Sequence, residues 1–352
     1  MNILYGVPGE GMGHATRSKV VIDFLLKEHN VQVVSSDRAF QFLDKAFPKR
    51  VHEIKGLHFA FKDSEVSKRN TFLLNLKGAP KNLIHNFSQY LKIHKSFHPD
   101  LIISDFESFT YLFAKHLNIP IISIDNMQVM NRCKLDIEIP KTEKNNFTLA
   151  KAIVKAKLPN CDNYLISSFF DAEIKKKDTE IVPPIVRDAI INAKVTNGDH
   201  ILMYQTSSTL SGVKKILHQL PDVKFYVYGF GIDEQDKNVT FKLFSEEGFV
   251  KDLAGAKAVI ANGGYSFLSE AIYLKKPIYS FPIKNQFEQF MNAAYIDKLG
   301  YGRYFEDLNS DNLKAFLYEL DIFAKNLSKY KQDGNKVLFD VLGKKLKTYN
   351  NY

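Results

Sequence analysis

The chain has 352 residues, which at roughly 100 to 200 residues per domain predicts two domains. Its 45% apolar and 25% charged residues exclude a disordered class, and the only cysteines, Cys133 and Cys161, exclude a thiolate metal cluster and a disulfide framework, so a reducing, cytoplasmic setting is expected. Lys and Arg number 48 against 39 Asp and Glu; the formal charge of +9 invites an anionic partner, while neither a membrane span nor a signal peptide is visible.

Short β-rich runs alternate with segments of helical period, a pattern that predicts parallel sheets with crossover helices. Residues 2–7 read as the first strand. A glycine-rich turn follows, then a helix with Val20, Val21, Phe24 and Leu25 at helical spacing, then a strand at 31–36. The runs at 101–105 and 119–125 are continuously apolar, as suits strands covered on both faces, and 164–169 closes this half. Pro183-Pro184 then interrupts the pattern, since consecutive prolines continue neither helix nor central strand. The boundary is placed there, giving a first domain over 1–185 and a second over 186–325. Strands are expected at 201–205, 225–228, 239–244, 258–261 and 278–281. The tail, 326–352, reads as a helix that crosses back to the first domain. Two doubly wound α/β sheets in tandem leave a cleft at the carboxyl ends of their strands.

The first turn is Gly9-Glu10-Gly11-Met12-Gly13-His14-Ala15-Thr16-Arg17-Ser18. Its glycines let a ligand approach the backbone, and the helix behind offers free N–H groups to an anion. A dinucleotide fingerprint, with Asp37 as the ribose acid, fits poorly: the spacing is G-x-G-x-G, not G-x-G-x-x-G. His14 opens the helix at the sheet's carboxyl edge, where an imidazole can take a proton from a hydroxyl; a capping or merely exposed histidine is the plainer alternative. Asp105, ending the strand 101–105, is the candidate to orient His14, or else it caps the helix that starts near Glu107.

The second turn, Asn262-Gly263-Gly264-Tyr265-Ser266, follows the strand 258–261 and opens another helix, a second anion site. Glu270 lies one turn in, within reach of a sugar hydroxyl, or simply favourable to the helix dipole. Together with Lys276-Pro277 and Glu288-Gln289-Phe290-Met291-Asn292-Ala293, this stretch resembles the donor-binding segment of GT-B glycosyltransferases, the UDP-glycosyltransferases and the MurG-like N-acetylglucosaminyltransferases among them. Gly11-Met12-Gly13-His14 independently resembles the acceptor-side loop of those families. Asn262 departs from the histidine of plant members, and Lys275-Lys276 stand where a glycine before proline is common.

The resemblance implies two Rossmann-like domains facing each other across a cleft and transfer of a sugar from a nucleotide diphosphate sugar, UDP-sugar first, to an acceptor hydroxyl with inversion. It assigns His14 as base with Asp105 as its partner, Phe249 and Val250 to the nucleobase, and Glu270 to the ribose. Asn262, Gly263, Gly264 and Ser266, with Thr206, Ser207 and Ser208, would cradle the diphosphate, and Glu288 and Gln289 would bind the sugar. Helix N-termini would stabilise the leaving group, so no cofactor and no metal are expected. On the acceptor side, residues 66–99 carry six Lys or Arg, three His and no acid, interleaved with Phe72, Leu83, Ile84, Phe87 and Leu91. That is the pattern of a peripheral surface for anionic membrane and a lipid-linked, cell-envelope acceptor, or else of a pair of crossover helices packed on the sheet. Nucleic acid is excluded for want of a recognition module and of Trp. A UDP-sugar 2-epimerase of the same architecture and a non-catalytic nucleotide-sugar or lipid-binding module are the competing functions; acceptor-dependent release of UDP separates a transferase from both.

Overall fold

The computed structural model describes residues 1–9, 11–56, 61–62, 65–66, 68–196, 198–205 and 212–349, with the side chains at 61–80 and 83 outside that description. In the first half, β1 (Asn2–Gly6), α1 (Met12–Leu25), β2 (Asn30–Ser35), α2 (Asp37–Ala46), β3 (Val51–Glu53), α3 (Lys68–Phe97), β4 (Leu101–Ser104), α4 (Ser108–Leu117), β5 (Ile121–Asp125), α5 (Lys144–Lys157), β6 (Asn163–Ser167) and β7 (Thr179–Val182) follow one another. Their strands form a parallel seven-stranded sheet in the order β7-β6-β5-β4-β1-β2-β3. Every residue of β4 and β5 is buried, which is why both read as unbroken apolar runs.

The second half repeats the plan with β8 (His200–Tyr204), β9 (Lys224–Tyr228), β10 (Glu234–Asp236), β11 (Val239–Lys242), α6 (Glu246–Gly255), β12 (Ala258–Ala261), α7 (Tyr265–Tyr273), β13 (Ile278–Ser280), α8 (Phe287–Lys298), β14 (Gly302–Tyr304), α9 (Ser310–Tyr318) and α10 (Leu320–Leu327). The order is β10-β11-β9-β8-β12-β13-β14, parallel except for the β10–β11 hairpin at one edge. In each sheet the direction of winding reverses between two central strands: β1 and β4 in the first, β8 and β12 in the second. Ligands of open α/β sheets bind outside the carboxyl ends at such points.

The last helix, α11 (Lys336–Tyr349), lies on the first sheet: Leu338, Leu342 and Leu346 join Ile3, Tyr5, Val21 and Ile22 in one buried cluster, and Phe339 stacks on Phe24 at 4.2 Å. The two crossings between halves run side by side. Val186 and Asn335 exchange a reciprocal pair of hydrogen bonds of 2.9 and 2.7 Å, and Gln332 Nε2 donates to the Pro184 carbonyl.

The structure departs from the sequence expectations at three places. Thr179–Val182 forms an edge strand beside β6, unanticipated because an edge strand is only half-covered and its Thr-Glu start carries no apolar run. The strand expected over 239–244 stops at Lys242, leaving Leu243 and Phe244 57% and 60% exposed. Residues 68–97 form a single helix rather than a pair. Among the described residues no helix is long and apolar enough to cross a membrane.

Candidate active site

The β1–α1 turn and the end of β4 meet at the first sheet's winding reversal, and this brings His14 to Asp105 although they lie 91 residues apart: Nδ1 and Oδ1 are 2.9 Å apart. Gly11 caps α1 with φ +85 and no side-chain cap, and His14 sits on the first helical turn. The His14 side chain is 22% exposed and that of Asp105 1%. The capping role that Asp105 shared in the sequence reading belongs to Glu107, whose carboxylate accepts from the Phe109 and Thr110 N–H groups at 2.8 and 2.7 Å. Phe106, at φ +61, makes the reversal between them, turning Asp105 toward α1 and Glu107 toward α4.

Asp105 has a second partner that sequence reasoning missed. The Arg17 guanidinium, buried beside it, donates from Nε to Oδ2 at 2.7 Å and from Nη2 to Oδ1 at shorter range, while Ser18 Oγ donates to Oδ2 at 3.0 Å. Burial alone would push the Asp105 carboxyl up, but the charge of Arg17, then that of His14, and hydrogen bonds from both hold it well below the ordinary carboxylate range. Arg17 stands one turn after His14 on the same helix face, a spacing that places it near His14 but does not say which carboxylate it meets.

The second turn faces the first. A Cβ on Gly13 would come within 2.6 Å of Ser266 Oγ, so this glycine permits close approach of the N-termini of α1 and α7. Gly264 caps α7 in an extended conformation. Gly263, at φ +103, is pinned beneath α8: its carbonyl accepts from Asn292 Nδ2 at 3.0 Å. Asn262 Nδ2 donates to the Phe281 carbonyl at 3.2 Å, and its buried Oδ1 has no partner among the described residues. Glu288 reaches the first half directly, accepting from Asn126 Nδ2 at 2.7 Å; Asn126 in turn accepts from Arg17 Nη1 at 2.6 Å. Gln289 is turned the other way, its Oε1 accepting from the Ile283 N–H at 3.0 Å.

Other expected contacts are placed less directly. Phe249 and Val250 are buried on α6, Phe249 among Tyr204, Tyr228, Phe244 and Phe267, so the exposed ring at that edge is Phe244. Glu270 is held by Arg187, whose Nε and Nη2 donate to its two carboxylate oxygens at 2.6 and 2.8 Å. Arg187 follows the Pro-Pro linker and went unnoticed because its partner is 83 residues away. Met12 is exposed at the mouth of the first turn. Thr206, Ser207 and Ser208 lie outside the described residues.

Two glycine-rich helix N-termini meet where the halves pack together, one beside a His–Asp pair, and known proteins resemble the chain in sequence and in fold. A family model described as glycosyl transferase family 1 matches residues 1–321. An uncharacterized glycosyltransferase of Methanosarcina mazei is 26% identical over 339 residues, covering 86% of this chain and 85% of its own. Among solved structures, Phytolacca americana UGT2 complexed with UDP-2fluoro-glucose and pterostilbene superposes with a TM-score of 0.69 at 13% identity, covering 97% of this chain and 98% of its own. The spinosyn rhamnosyltransferase SpnG complexed with thymidine diphosphate superposes with a TM-score of 0.66 at 14% identity, covering 99% of this chain and all of its own. The chain belongs to glycosyl transferase family 1 and is a glycosyltransferase of the GT-B fold.

Proposed function

We propose that the enzyme transfers a sugar from a nucleoside diphosphate sugar, UDP-sugar first, to an acceptor hydroxyl by direct displacement with inversion at the anomeric carbon. The observation that carries this reading is the His14–Asp105 pair at 2.9 Å, on the helix whose N-terminus meets that of α7. His14 takes the acceptor proton at Nε2 while Asp105 orients the ring through Nδ1. The acceptor oxygen forms its bond to the anomeric carbon as the bond to the diphosphate oxygen breaks, and the charge on the leaving diphosphate is met by N–H groups at Gly263, Gly264 and Ser266. This stabilisation is supplied by the chain, and the proposal includes no metal ion. Glu288 and Gln289 are assigned to the sugar hydroxyls, Glu270 to the ribose, Thr206, Ser207 and Ser208 to the phosphates, and the Phe249-Val250 segment to the base. UDP-2fluoro-glucose in one fold neighbour and thymidine diphosphate in another support a pyrimidine donor.

Incubating the protein with UDP- or dTDP-sugars tests the reading. Nucleoside diphosphate should appear only when an acceptor is added; a sugar epimerised without acceptor, or donor bound and never turned over, sinks it.

On the acceptor side α3 supports a peripheral site at the cytoplasmic face of a membrane, with a lipid-linked acceptor. Asn86, Tyr90, Ile93 and Phe97 face inward, whereas Ile84, Phe87 and Leu91 are 72%, 57% and 44% exposed beside Lys81, Lys92 and Lys95. Each lysine near an anionic surface contributes about 1 kcal/mol. Replacing Lys81, Lys92 and Lys95 with Gln should therefore weaken cosedimentation with phosphatidylglycerol vesicles by roughly a hundredfold. Equal partitioning of the unaltered protein onto neutral vesicles would remove the membrane site.

A further inference from the structure

His14 Nδ1 lies 2.9 Å from two groups of opposite character: Asp105 Oδ1, which accepts, and Arg17 Nη2, which donates. Nδ1 satisfies only one of them. With its proton on Nδ1 the ring donates to Asp105, Oδ1 accepts from the ring and from Arg17 together, and Nε2 is left bare. The carboxylate then carries four hydrogen bonds, from His14, Arg17 Nε, Arg17 Nη2 and Ser18 Oγ. Without the guanidinium, a fully buried carboxylate this close to an imidazole would strongly favour the imidazolium, and an imidazolium is no base.

We propose that Arg17 is a positioning residue whose fixed charge neutralises Asp105, so that the carboxylate orients His14 without holding it protonated. The proposal rests on the reading of His14 as the base. Arg17 suits the task because a guanidinium keeps its charge when buried and its fork fixes two carboxylate oxygens at once. Its third arm, Nη1, donates at 2.6 Å to Asn126, which donates at 2.7 Å to Glu288 on α8, so the counter-charge is anchored from the donor half as well. The charged and titratable groups around it are few. Asp105 follows β4; Tyr5 lies on β1, its buried hydroxyl held beside Ser18, Asp105 and Arg17 and pushed up by burial; Asp125 ends β5, where burial pushes its carboxyl up while Ser123 Oγ and the Gln128 N–H hold it; Tyr265 comes from α7, its ring 5.9 Å from the guanidinium carbon; Glu288 comes from α8. None but Arg17 supplies a fixed positive charge beside Asp105 among the described residues.

The ring nitrogens report this directly. In 15N-labelled, ligand-free protein at pH 7, with the His14 signals assigned by their loss in His14→Gln, the wild-type ring should be the neutral tautomer protonated on Nδ1. Arg17→Gln should raise the ratio of imidazolium to imidazole by roughly tenfold or more, since a unit charge a few ångströms away in a buried site is worth at least that. Arg17→Lys, which keeps the charge and loses the fork, should stay neutral. An imidazolium in the wild type overturns the proposal, as does an unchanged ratio in a folded Arg17→Gln or an imidazolium in Arg17→Lys. Should Arg17→Gln not fold, the wild-type and Arg17→Lys rings decide. The measurement uses neither donor nor acceptor, so absence of transfer activity would sink the base reading and leave this result standing on its own.

Discussion

His14→Ala should lower turnover at saturating donor and acceptor by roughly two to four decades, the usual worth of a positioned general base, while leaving UDP affinity within about threefold of the wild type. The asymmetry follows from where the ring sits. His14 stands on the first turn of α1, bonded through Nδ1 toward Asp105, whereas the groups proposed to hold the nucleotide belong to α6, to α7 and to the turns after β8 and β12 in the other half. Truncating the ring removes a partner of Asp105, but that carboxylate keeps both bonds from Arg17 and the one from Ser18, so the buried charge is not orphaned. Stability should therefore fall little, by about 1 kcal/mol in urea denaturation. Steady-state kinetics with urea denaturation and calorimetric UDP titration on the same preparation check all three. Turnover within a factor of a few of the wild type would show that the proton leaves by another route.

What could be read beforehand, and what could not, divides along one physical line. The runs at 101–104, 121–124 and 258–261 announce strands because both faces of each are covered, and the burial of every one of these residues agrees. The turns at Gly11 and Gly263 announce themselves because both require φ near +90, at +85 and +103, which few other residues adopt. Local composition carries such features. It does not carry the pairing of polar side chains across the fold: Arg17 with Asp105 spans 88 residues, Asn126 with Glu288 spans 162, and Arg187 with Glu270 spans 83. Asp105 and Glu270 were legible as acids at strand and helix ends, yet the cations that decide their behaviour were not, because nothing near an arginine in the chain says which carboxylate it will meet. The edge strand at Thr179–Val182 was hidden for the converse reason, a lack of burial that leaves no apolar signal.

Gly263→Ala and Gly264→Ala should separate two roles that adjacent glycines play in one turn. At Gly263 φ is +103, and an added Cβ would meet the Gln289 carbonyl oxygen at 2.7 Å and Gln289 Cβ at 3.1 Å. Both obstacles belong to α8, which is held in place by Phe287, Phe290 and Met291 in the core and by Asn292 on the Gly263 carbonyl. The backbone cannot yield on either side without cost. Left-handed strain and the clash together should destabilise the fold by about 2 to 4 kcal/mol and tilt the N–H groups that open α7, so donor affinity falls with stability. At Gly264 φ is −64 and ψ is 123, ordinary extended backbone, and none of the described residues lies within 4 Å of the added Cβ. Gly264→Ala should therefore leave the urea midpoint nearly unchanged, within about 0.5 kcal/mol. If the diphosphate docks against this turn as proposed, the new methyl intrudes where only backbone was meant to approach, and UDP affinity should drop roughly tenfold or more in a protein of wild-type stability. Unchanged UDP affinity in a stable Gly264→Ala would move the phosphates away from this turn, whatever Gly263→Ala does to the fold.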